Sequence, residues 1–373
     1  MKGLAITSKG IEETASIEIK ELIGAECRAQ EGCVIFDFSR FSELCLLCYK
    51  SQSADRILCL IGSFEFRDFF SDLEKFIGES KFEDWICKAK KFKVECLRLG
   101  SHGFNSVEVE RKIGGLLIKK LRGRQAKVDI KDYDVVFFAY ILNDKCHFGV
   151  DFAGFEMNKR DYKIFLASNS LRGTIAYSLV RESGFKKKEV LLDPFSRDGI
   201  IPIEAAFHAG NFPQNYYKKE RLAFLKLDLG INFESFFKDI DKGIKKAKTG
   251  IFCYEHLFKY VDYSKKNAKI AGVDKGINFS RIDIEWLDIK FKEGSVDRIV
   301  TSPPLSKNAD LDKIYNEFFY QSKYILGRNG TIAIISRMPD FVKKHAIKHD
   351  FSVFKERDVW SGEQLLKIIV FGK

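Results

Sequence analysis

Short, predominantly apolar runs alternate with amphipathic helical stretches from residue 171 to the C-terminus, and this alternation restricts the fold more than any other feature. Such runs indicate strands buried on both faces, as in a parallel sheet that helices cover. They lie near residues 189–193, 251–255, 277–282, 296–302 and 331–336. Two more runs, 351–357 and 366–371, are close enough along the chain to form an antiparallel edge. We therefore predict a doubly wound α/β domain over residues 177–373.

The first of these strands ends at Asp193 and is followed by the turn Pro-Phe-Ser-Arg-Asp-Gly, which leads into a helix. A turn of small residues lets backbone N–H groups approach a carboxylate or phosphate at the N-terminus of the next helix. Gly199 suits such a turn, whereas Arg197 and Asp198 stand where Gly or Ser would allow closer approach. The turn predicts a nucleotide-type site with two unusual side chains in it.

Acidic residues follow three successive strands of the predicted sheet: Asp193, Glu255 and Asp283. A carboxylate after the second strand can accept hydrogen bonds from ribose hydroxyls, and one after the third can accept from an adenine amino group. Phe195 or Trp286 could stack on the base. A single acid at such a place is typically a surface or capping group, but three in a row favour a nucleotide cofactor.

The strand near 296–302 ends in Ser302-Pro303-Pro304-Leu305. Two prolines remove two N–H donors, so the carbonyl oxygens of this turn face outward as acceptors. The carbonyl of Pro303 and the hydroxyl of Ser302 can hold the N–H bonds of an amine, with its lone pair directed at a methyl donor. The motif predicts methyl transfer to nitrogen; the alternative is a proline turn that only ends a buried strand.

The N-terminal half reads as two small α/β units and a connector: a ferredoxin-like unit at 1–62, a second unit at 63–154 and a linker at 155–176. In the second unit, Ser106 is the predicted N-cap of a helix that ends near Gly123. In the linker, Ser168 or Ser170 is the predicted cap of a helix from Leu171. The long segment 211–248 is predicted to pack as helices on one face of the C-terminal sheet.

Positive charge is concentrated in the N-terminal half. The chain has a net charge of +11, and residues 88–131 contain thirteen Lys or Arg against four acids. We predict that this segment binds nucleic acid, although a solvated lysine-rich face is the alternative. The predicted RNA-binding residues are Lys91, Lys93, Arg98, Lys119, Lys120, Arg122 and Arg124.

Membrane and metal functions are not expected. No apolar stretch reaches the roughly 20 residues of a membrane span, and the start of the chain lacks a secretory signal, so we expect a cytoplasmic protein. Cys45 and Cys48 have the spacing of half a zinc site, but no second pair completes it. His345 and His349 lie four residues apart on a lysine-rich helix and are interpreted as solvated.

Four further segments carry a family resemblance: Leu4–Glu13, Val94–Gly115, Lys159–Lys163 and Ser170–Thr174. Together with the motifs above, they resemble the THUMP-domain RNA methyltransferases, in particular the archaeal and bacterial enzymes that make N2-methylguanosine in tRNA. The resemblance covers nearly the whole chain. It implies a class I, Rossmann-fold methyltransferase domain preceded by a ferredoxin-like and THUMP α+β domain.

By that resemblance the methyl donor is S-adenosylmethionine, and the N-terminal domains bind the acceptor end of tRNA. Asp193 and Gly199 match the cofactor loop, Glu255 the ribose acid and Asp283 the adenine acid. The implied cofactor-binding set is Ser170, Leu171, Thr174, Asp193, Phe195, Ser196, Gly199, Glu255, His256, Asp283 and Ile284. The implied catalytic set is Ser302, Pro303, Pro304 and Leu305, in place of the family's Asp- or Asn-Pro-Pro-aromatic motif.

Three hypotheses follow. The first is a tRNA methyltransferase that acts on a guanine exocyclic amine. The second is a non-catalytic tRNA-binding relative in which Arg197 and Asp198 close the cofactor loop. The third is an amino-methyltransferase for cytosine N4 or adenine N6, because a Ser-Pro-Pro form occurs in cytosine-N4 methyltransferases. The sequence gives no indication of the oligomeric state.

Overall fold

An eight-stranded sheet organises the N-terminal half of the chain. The computed structural model describes residues 1–86, 91–121, 126–245, 250–305 and 310–373. The strand order is β2-β3-β1-β4-β8-β7-β5-β6, in which β5 pairs in parallel with β7 and β6 and the other pairs are antiparallel. The elements are β1 (Lys2–Ile6), α1 (Glu12–Ile23), β2 (Cys27–Gln30), β3 (Cys33–Asp37), α2 (Phe41–Lys50), β4 (Arg56–Glu65), α3 (Phe69–Glu79), α4 (Glu83–Ile86), β5 (Lys91–Leu99), α5 (Ser106–Lys120), β6 (Lys127–Val128), β7 (Val135–Leu142) and β8 (Lys145–Asp151).

The first four strands and two helices have the βαββαβ order of a ferredoxin-like unit, and β4 joins this unit to the second one through β8. β4 therefore crosses the predicted boundary at residue 62. One face of the sheet packs against the helices, where Val109, Ile113 and Phe137 belong to the same core. The opposite face, which carries Phe138 and Tyr140, has its own small apolar cluster. We call this second surface the cleft face.

The C-terminal half forms a seven-stranded sheet of order β11-β10-β9-β12-β13-β15-β14. Its first five strands in this order are parallel, and β15 and β14 add the predicted antiparallel edge. The elements are α6 (Gly173–Glu182), β9 (Leu191–Asp193), α7 (Ile200–Gly210), α8 (Phe233–Asp241), β10 (Ile251–Glu255), α9 (Phe258–Ala271), β11 (Ile277–Arg281), α10 (Leu287–Lys290), β12 (Val296–Thr301), α11 (Leu311–Ile325), β13 (Leu326–Ser336), α12 (Pro339–Lys348), β14 (Ser352–Ser361) and β15 (Gln364–Gly372).

The long segment after α7 does not pack where the sequence predicted. Its side chains Leu222 and Phe224 are buried in the N-terminal core, and Phe237 of α8 packs against the same core. The ring of Phe237 lies 4.8 Å from that of Tyr49, whose hydroxyl donates to Asp241 at 2.7 Å. The segment follows α7 of the C-terminal half, and its apolar side chains pack into the core of the N-terminal half near Tyr49 of α2. It therefore connects the two halves of the molecule.

Three local predictions are also wrong. Asn105, not Ser106, caps α5, because its side chain accepts from the N–H of Glu108, whose carboxylate accepts in turn from the N–H of Asn105. Neither Ser168 nor Ser170 caps α6, which begins at Gly173 without a side-chain cap. His345 is buried rather than solvated, since it faces α11 and hydrogen-bonds to Asp312.

Within the described ranges, no helix is both long enough and apolar enough to cross a membrane.

Candidate active site

The carboxyl ends of four neighbouring strands line one edge of the C-terminal sheet. Because β11, β10, β9 and β12 are adjacent in that order, Asp283, Glu255, Asp193 and Ser302 follow one another along this edge. The connections run in opposite directions on the two sides of β9, so a crevice opens between β9 and β12. Open α/β sheets bind their ligands at such a point.

Asp193 is the most buried acid of this edge, with 1% of its surface exposed. Its Oδ1 accepts from Thr301 Oγ1 at 2.6 Å and from the N–H of Phe195 at 3.2 Å. Its Oδ2 is buried and has no hydrogen-bond partner among the described residues. Burial raises the pKa of this carboxyl to about 7. A buried carboxylate oxygen without a donor suits a cationic or N–H-bearing ligand group.

The loop after β9 depends on one glycine. Gly199 has φ 78°, and a Cβ there would lie 2.6 Å from that of Ser264 in α9, so a larger residue would force the helix away. Ser196 is buried and donates its hydroxyl to the carbonyl of Tyr254 at 2.9 Å. The ring of Phe195 is buried, with its centre 5.6 Å from that of Phe318.

Glu255 and Asp283 differ in exposure. Glu255 is buried, and its carboxylate accepts from the N–H groups of Arg197 (3.1 Å) and Leu257 (3.2 Å) and pairs with His256 Nδ1 at 2.8 Å. The hydrogen bond to this carboxylate raises the pKa of His256. Asp283 is exposed and lies three residues before Trp286, which is 56% exposed. The neighbouring Ile284 is buried in the core below.

The start of α6 contributes two hydroxyls. Thr174 is fully buried, and its Oγ1 has no hydrogen-bond partner in the part of the chain that the structure describes. Ser170 Oγ lacks a partner there too. The preceding residue of the helix, Gly173, leaves no room for a Cβ, which would lie 2.3 Å from Arg160 Nε. Leu171 is buried and accepts from Lys163 Nζ through its carbonyl at 2.5 Å.

Arg197 contacts the Ser-Pro-Pro turn directly. Its Nη2 donates to the carbonyl oxygen and to Oγ of Ser302, at 3.0 and 2.9 Å, and its Nη1 donates to the carbonyl of Ser168 at 3.0 Å. Pro303 is buried and Leu305 half-buried, while the carbonyl of Pro304 accepts from Tyr315 at 3.5 Å. The sequence marked Arg197 as unusual but gave no signal that its side chain reaches residue 302.

A cavity of about 80 Å³ opens beside Ser302. Ser170, Arg197 and Leu305 line it, together with Arg337 and Gln364 from the opposite side. With its amide oxygen turned toward Arg337, Gln364 accepts from Nη1 at 2.8 Å and from Nε at 3.3 Å. Sequence reasoning missed these two residues, although Arg337 follows a strand end next to β12 in the same way as the acids do.

The predicted RNA-binding residues do not form one patch. Lys91 and Lys93 share the cleft face with Glu95, because the register pairs Glu95 with Phe138 of β7. Lys91 pairs with Asp132, and Lys93 with Glu95. Arg98 donates to His102 Nδ1 at 2.8 Å. Arg122 and Arg124 lie outside the described residues.

The two lysines at the end of α5 have different environments. Lys120 donates to the carbonyls of Ile77, Gly78 and Ser80 at the end of α3, so its ammonium stabilises the packing of these helices. Lys119 has 67% of its side chain exposed, and its ammonium is 3.9 Å from Glu74. Lys119 is therefore available to a ligand, and Lys120 is not.

A cleft of about 1030 Å³ separates the cleft face from the C-terminal half. Lys93, Leu97 and Tyr140 line its sheet side, and the connector and the β14–β15 hairpin line the other. Lys9 lies across this opening, 4.6 Å from the ring centre of Trp360. The connector (166–172) and the hairpin (360–364) border both this cleft and the cavity beside Ser302. A chain lying in the cleft could thus reach the Ser-Pro-Pro turn.

Comparison with protein-family models assigns a known domain to each half of the chain. Residues 160–367 match the RMKL-like methyltransferase domain, and residues 67–151 match the THUMP domain. The protein belongs to the RMKL-like methyltransferase family. The match spans more than half of the chain and contains β9 to β14 and the whole row of strand ends. This assignment and the strand order confirm the predicted fold class.

Relatives of this RMKL-like methyltransferase align over nearly its whole length. The tRNA (guanine(6)-N2)-methyltransferase of Methanocaldococcus jannaschii is 29% identical over 97% of both chains. The enzyme of the same name from Archaeoglobus fulgidus is 27% identical and covers 98% of this chain and 91% of its own. Among solved structures, that of SMU.472 in complex with S-adenosylhomocysteine (SAH) is 18% identical, with a TM-score of 0.82 over 100% of this chain and 98% of the other. The last likeness concerns the fold alone.

Proposed function

We propose that the protein is an S-adenosylmethionine-dependent tRNA methyltransferase that acts on the exocyclic amine of a guanosine, forming N2-methylguanosine. The observation that carries this proposal is the adjacency of β9 and β12, which brings a nucleotide-type loop next to the Ser-Pro-Pro turn. The names of the two archaeal relatives, which align over both halves, support tRNA as the substrate and guanine N2 as the target.

The residues present fit the donor. Asp193 Oδ2 and Thr174 Oγ1 are buried without partners, as expected of groups that bind a polar ligand. Asp193 would accept from the α-ammonium group, Glu255 from the ribose hydroxyls and Asp283 from the adenine amine. Trp286 is exposed beside Asp283 and can stack on the adenine, and the buried Phe195 is the second candidate for this contact. S-adenosylmethionine supplies an electrophilic methyl group when bound.

The Ser-Pro-Pro turn orients the nucleophile. The amino group of guanine is a poor nucleophile until its N–H bonds are held so that the lone pair points at the methyl carbon. Ser302 Oγ and the carbonyl of Pro303 can accept these two N–H bonds. Pro303 and Pro304 lack N–H donors of their own, so their carbonyl oxygens are presented without a competing backbone donor at either residue. Leu305 supplies an apolar contact beside the base, with less contact area than an aromatic ring.

The RNA would approach through the cleft. Seven Lys or Arg side chains, six acids and Trp360 line an opening that borders the cavity beside Ser302. The cations can contact a phosphate backbone and Trp360 can stack on a base, which suits a single-stranded or frayed end. We propose that this end is the acceptor end of tRNA and that the protein works in the cytoplasm. The THUMP domain contributes the sheet that forms one wall of this cleft.

The test is transfer of a radiolabelled methyl group from S-adenosylmethionine to unmodified tRNA transcripts. We expect label in tRNA and none in an rRNA fragment of equal length, and we expect Ser302→Ala to label tRNA about 10- to 100-fold more slowly. Tight tRNA binding with no transfer and no donor binding would instead identify a non-catalytic relative. Transfer to cytosine or adenine would reassign the base and keep the chemistry.

A further inference from the structure

Arg197 has an unusual backbone conformation, and its side chain contacts residues that are distant in the sequence. Its φ of 46° lies in the left-handed region, which L side chains rarely adopt and which is strained for them. From this position the side chain extends across the crevice between β9 and β12 and reaches Ser302 and Ser168. Strain of this kind is retained where a function needs the side chain in that place.

The guanidinium of Arg197 is a cation without an anion. Its three hydrogen bonds go to two backbone carbonyls and one hydroxyl, all uncharged. No carboxylate lies within ion-pair distance of it in the described ranges of the chain. A half-buried cation satisfied only by neutral acceptors is more stable when a carboxylate replaces one of them.

The groups around Arg197 suit the two charges of an α-amino acid, which carries a carboxylate and an ammonium group. On one side, Ser170 Oγ and the buried Thr174 Oγ1 lie without partners at the N-terminus of the ten-residue helix α6, where the helix dipole favours an anion. On the other side, the buried Asp193 Oδ2 lies without a partner and favours a cation. Ser170 and Arg197 line the same cavity. Arg197 is also close enough to Asp193 to lower the pKa of that carboxyl, although burial raises it by more.

We propose that Arg197 binds the α-carboxylate of the methyl donor and selects donors that carry the amino-acid moiety. This inference rests on the proposed function. A carboxylate can accept two parallel N–H bonds from the guanidinium, which then leaves Ser302. Donor binding therefore frees Ser302 Oγ to accept an N–H bond of the target amine. Without donor, Arg197 occupies that acceptor, so the amine site forms only after the donor site is filled.

The test compares two ligands by calorimetric titration of the full chain. SAH carries the carboxylate, whereas 5′-methylthioadenosine shares its adenosine and thioether and lacks the amino-acid moiety. Neither has the sulfonium charge, so repulsion between cations does not enter. We expect Arg197→Met to weaken SAH binding at least tenfold and to change methylthioadenosine binding less than twofold. Arg197→Lys should retain part of the SAH affinity.

Two variants control for folding and for charge. Arg197→Gly relieves the backbone strain, so it should fold at least as well as the wild type and show the same selective loss of SAH affinity. Arg328→Met removes an exposed arginine near the start of β13, at the end of that strand away from the candidate site. This variant should bind both ligands like the wild type. Unchanged or tighter SAH binding by Arg197→Met, or equal weakening of both ligands, would overturn the inference alone. A wild-type protein that binds no SAH would overturn the proposed function with it.

Discussion

Thr301 donates its hydroxyl to Asp193 Oδ1 at 2.6 Å and thereby joins the last residue of β12 to the last residue of β9. The two residues are 108 positions apart in the chain, yet both are buried at the edge that carries the candidate site. This hydrogen bond lowers the pKa of Asp193, while burial has the larger and opposite effect. The net result is that the pKa of this carboxyl is raised to about 7, within the physiological pH range.

Donor binding should depend on pH through Asp193. If Asp193 accepts from the α-ammonium of SAH, binding requires the carboxylate, and affinity should rise as pH increases through the pKa of about 7 and level off above it. A single group with this pKa gives about a tenfold gain between pH 6 and pH 8. Calorimetric titration with SAH at several pH values measures it. Asp193→Asn should bind weakly and lose this dependence.

His256 is the matched control for that titration. Its pKa is also raised, because it pairs with Glu255. His256→Gln should keep the wild-type rise in affinity if Asp193 is responsible. If the rise disappears with His256→Gln and persists with Asp193→Asn, the role assigned to Asp193 is wrong.

The buried Asp193 should also affect folding stability. Its pKa is higher in the folded protein than its ordinary value of 3.8, so the folded state binds the proton more tightly than the unfolded state. The free energy of unfolding therefore falls as pH rises from about 4 to about 7 and changes no further above that. Urea denaturation across this window should show a larger fall in the wild type than in Asp193→Asn, because Asp55, whose pKa burial raises to about 6, contributes equally to both proteins.

Ser302→Ala should slow methyl transfer and leave tRNA affinity unchanged. The variant removes one of two acceptors that orient the amine, and the loss of one such hydrogen bond corresponds to about a 10- to 100-fold lower rate. Single-turnover kinetics with enzyme and S-adenosylmethionine in excess over tRNA isolates this step. Ser295→Ala at the opposite end of β12 is exposed and should behave as wild type. A Ser302→Ala enzyme with the wild-type rate would remove this residue from the catalytic set.

Lys119 and Lys120 should respond differently to charge reversal. Lys119→Glu should weaken tRNA binding and reduce the slope of log affinity against log salt by about one, because one phosphate contact is lost. Lys120→Glu should lower the melting temperature, because it removes the donor to the carbonyls that end α3. Filter binding at several salt concentrations and thermal melts separate the two effects. Lys238→Glu, an exposed site on α8, is the control.

If Lys119→Glu binds tRNA with the wild-type affinity and salt slope, the end of α5 is a solvated face. The RNA contacts would then be confined to the cleft face, where Lys93 lies beside Glu95 at 2.6 Å.

The ion pair between Arg160 and Glu204 should be essential for stability. Both side chains are fully buried, with Arg160 Nε 2.8 Å from Glu204 Oε1, and Tyr162 and Gln52 donate to the same carboxylate. Arg160→Met leaves a buried carboxylate without its cation and should lower the free energy of unfolding by about 3–5 kcal/mol. The double variant Arg160→Met, Glu204→Leu should lose less than the sum of the single variants. Additive losses in denaturant titrations would show that the two residues act independently.

The sequence predicted the C-terminal sheet well, because buried parallel strands are continuous apolar runs and their ends are marked by turns. Asp193, Glu255 and Asp283 could be assigned to one edge because parallel strands all end on the same side. The predicted roles of these residues remain predictions. The family assignment confirms the resemblance from which they were drawn.

Long-range side-chain contacts could not be predicted. The bond from Arg197 to Ser302 joins residues 105 positions apart and depends on a left-handed backbone angle that no local pattern encodes in an arginine. The burial of Phe224 and Phe237 in the N-terminal core is equally non-local, since their amphipathic segment would suit either sheet. Charge counting placed Lys119 and Lys120 together, but only the structure separates an exposed ammonium 3.9 Å from Glu74 from one that donates to three carbonyls.

The most direct measurement of the central claim is nucleoside analysis by mass spectrometry of a tRNA transcript after incubation with the protein and S-adenosylmethionine. The account predicts N2-methylguanosine as the product, at a position in the acceptor stem, and its slower formation with Ser302→Ala. N4-methylcytidine, N6-methyladenosine or an unmodified transcript under conditions where the protein binds SAH would contradict it.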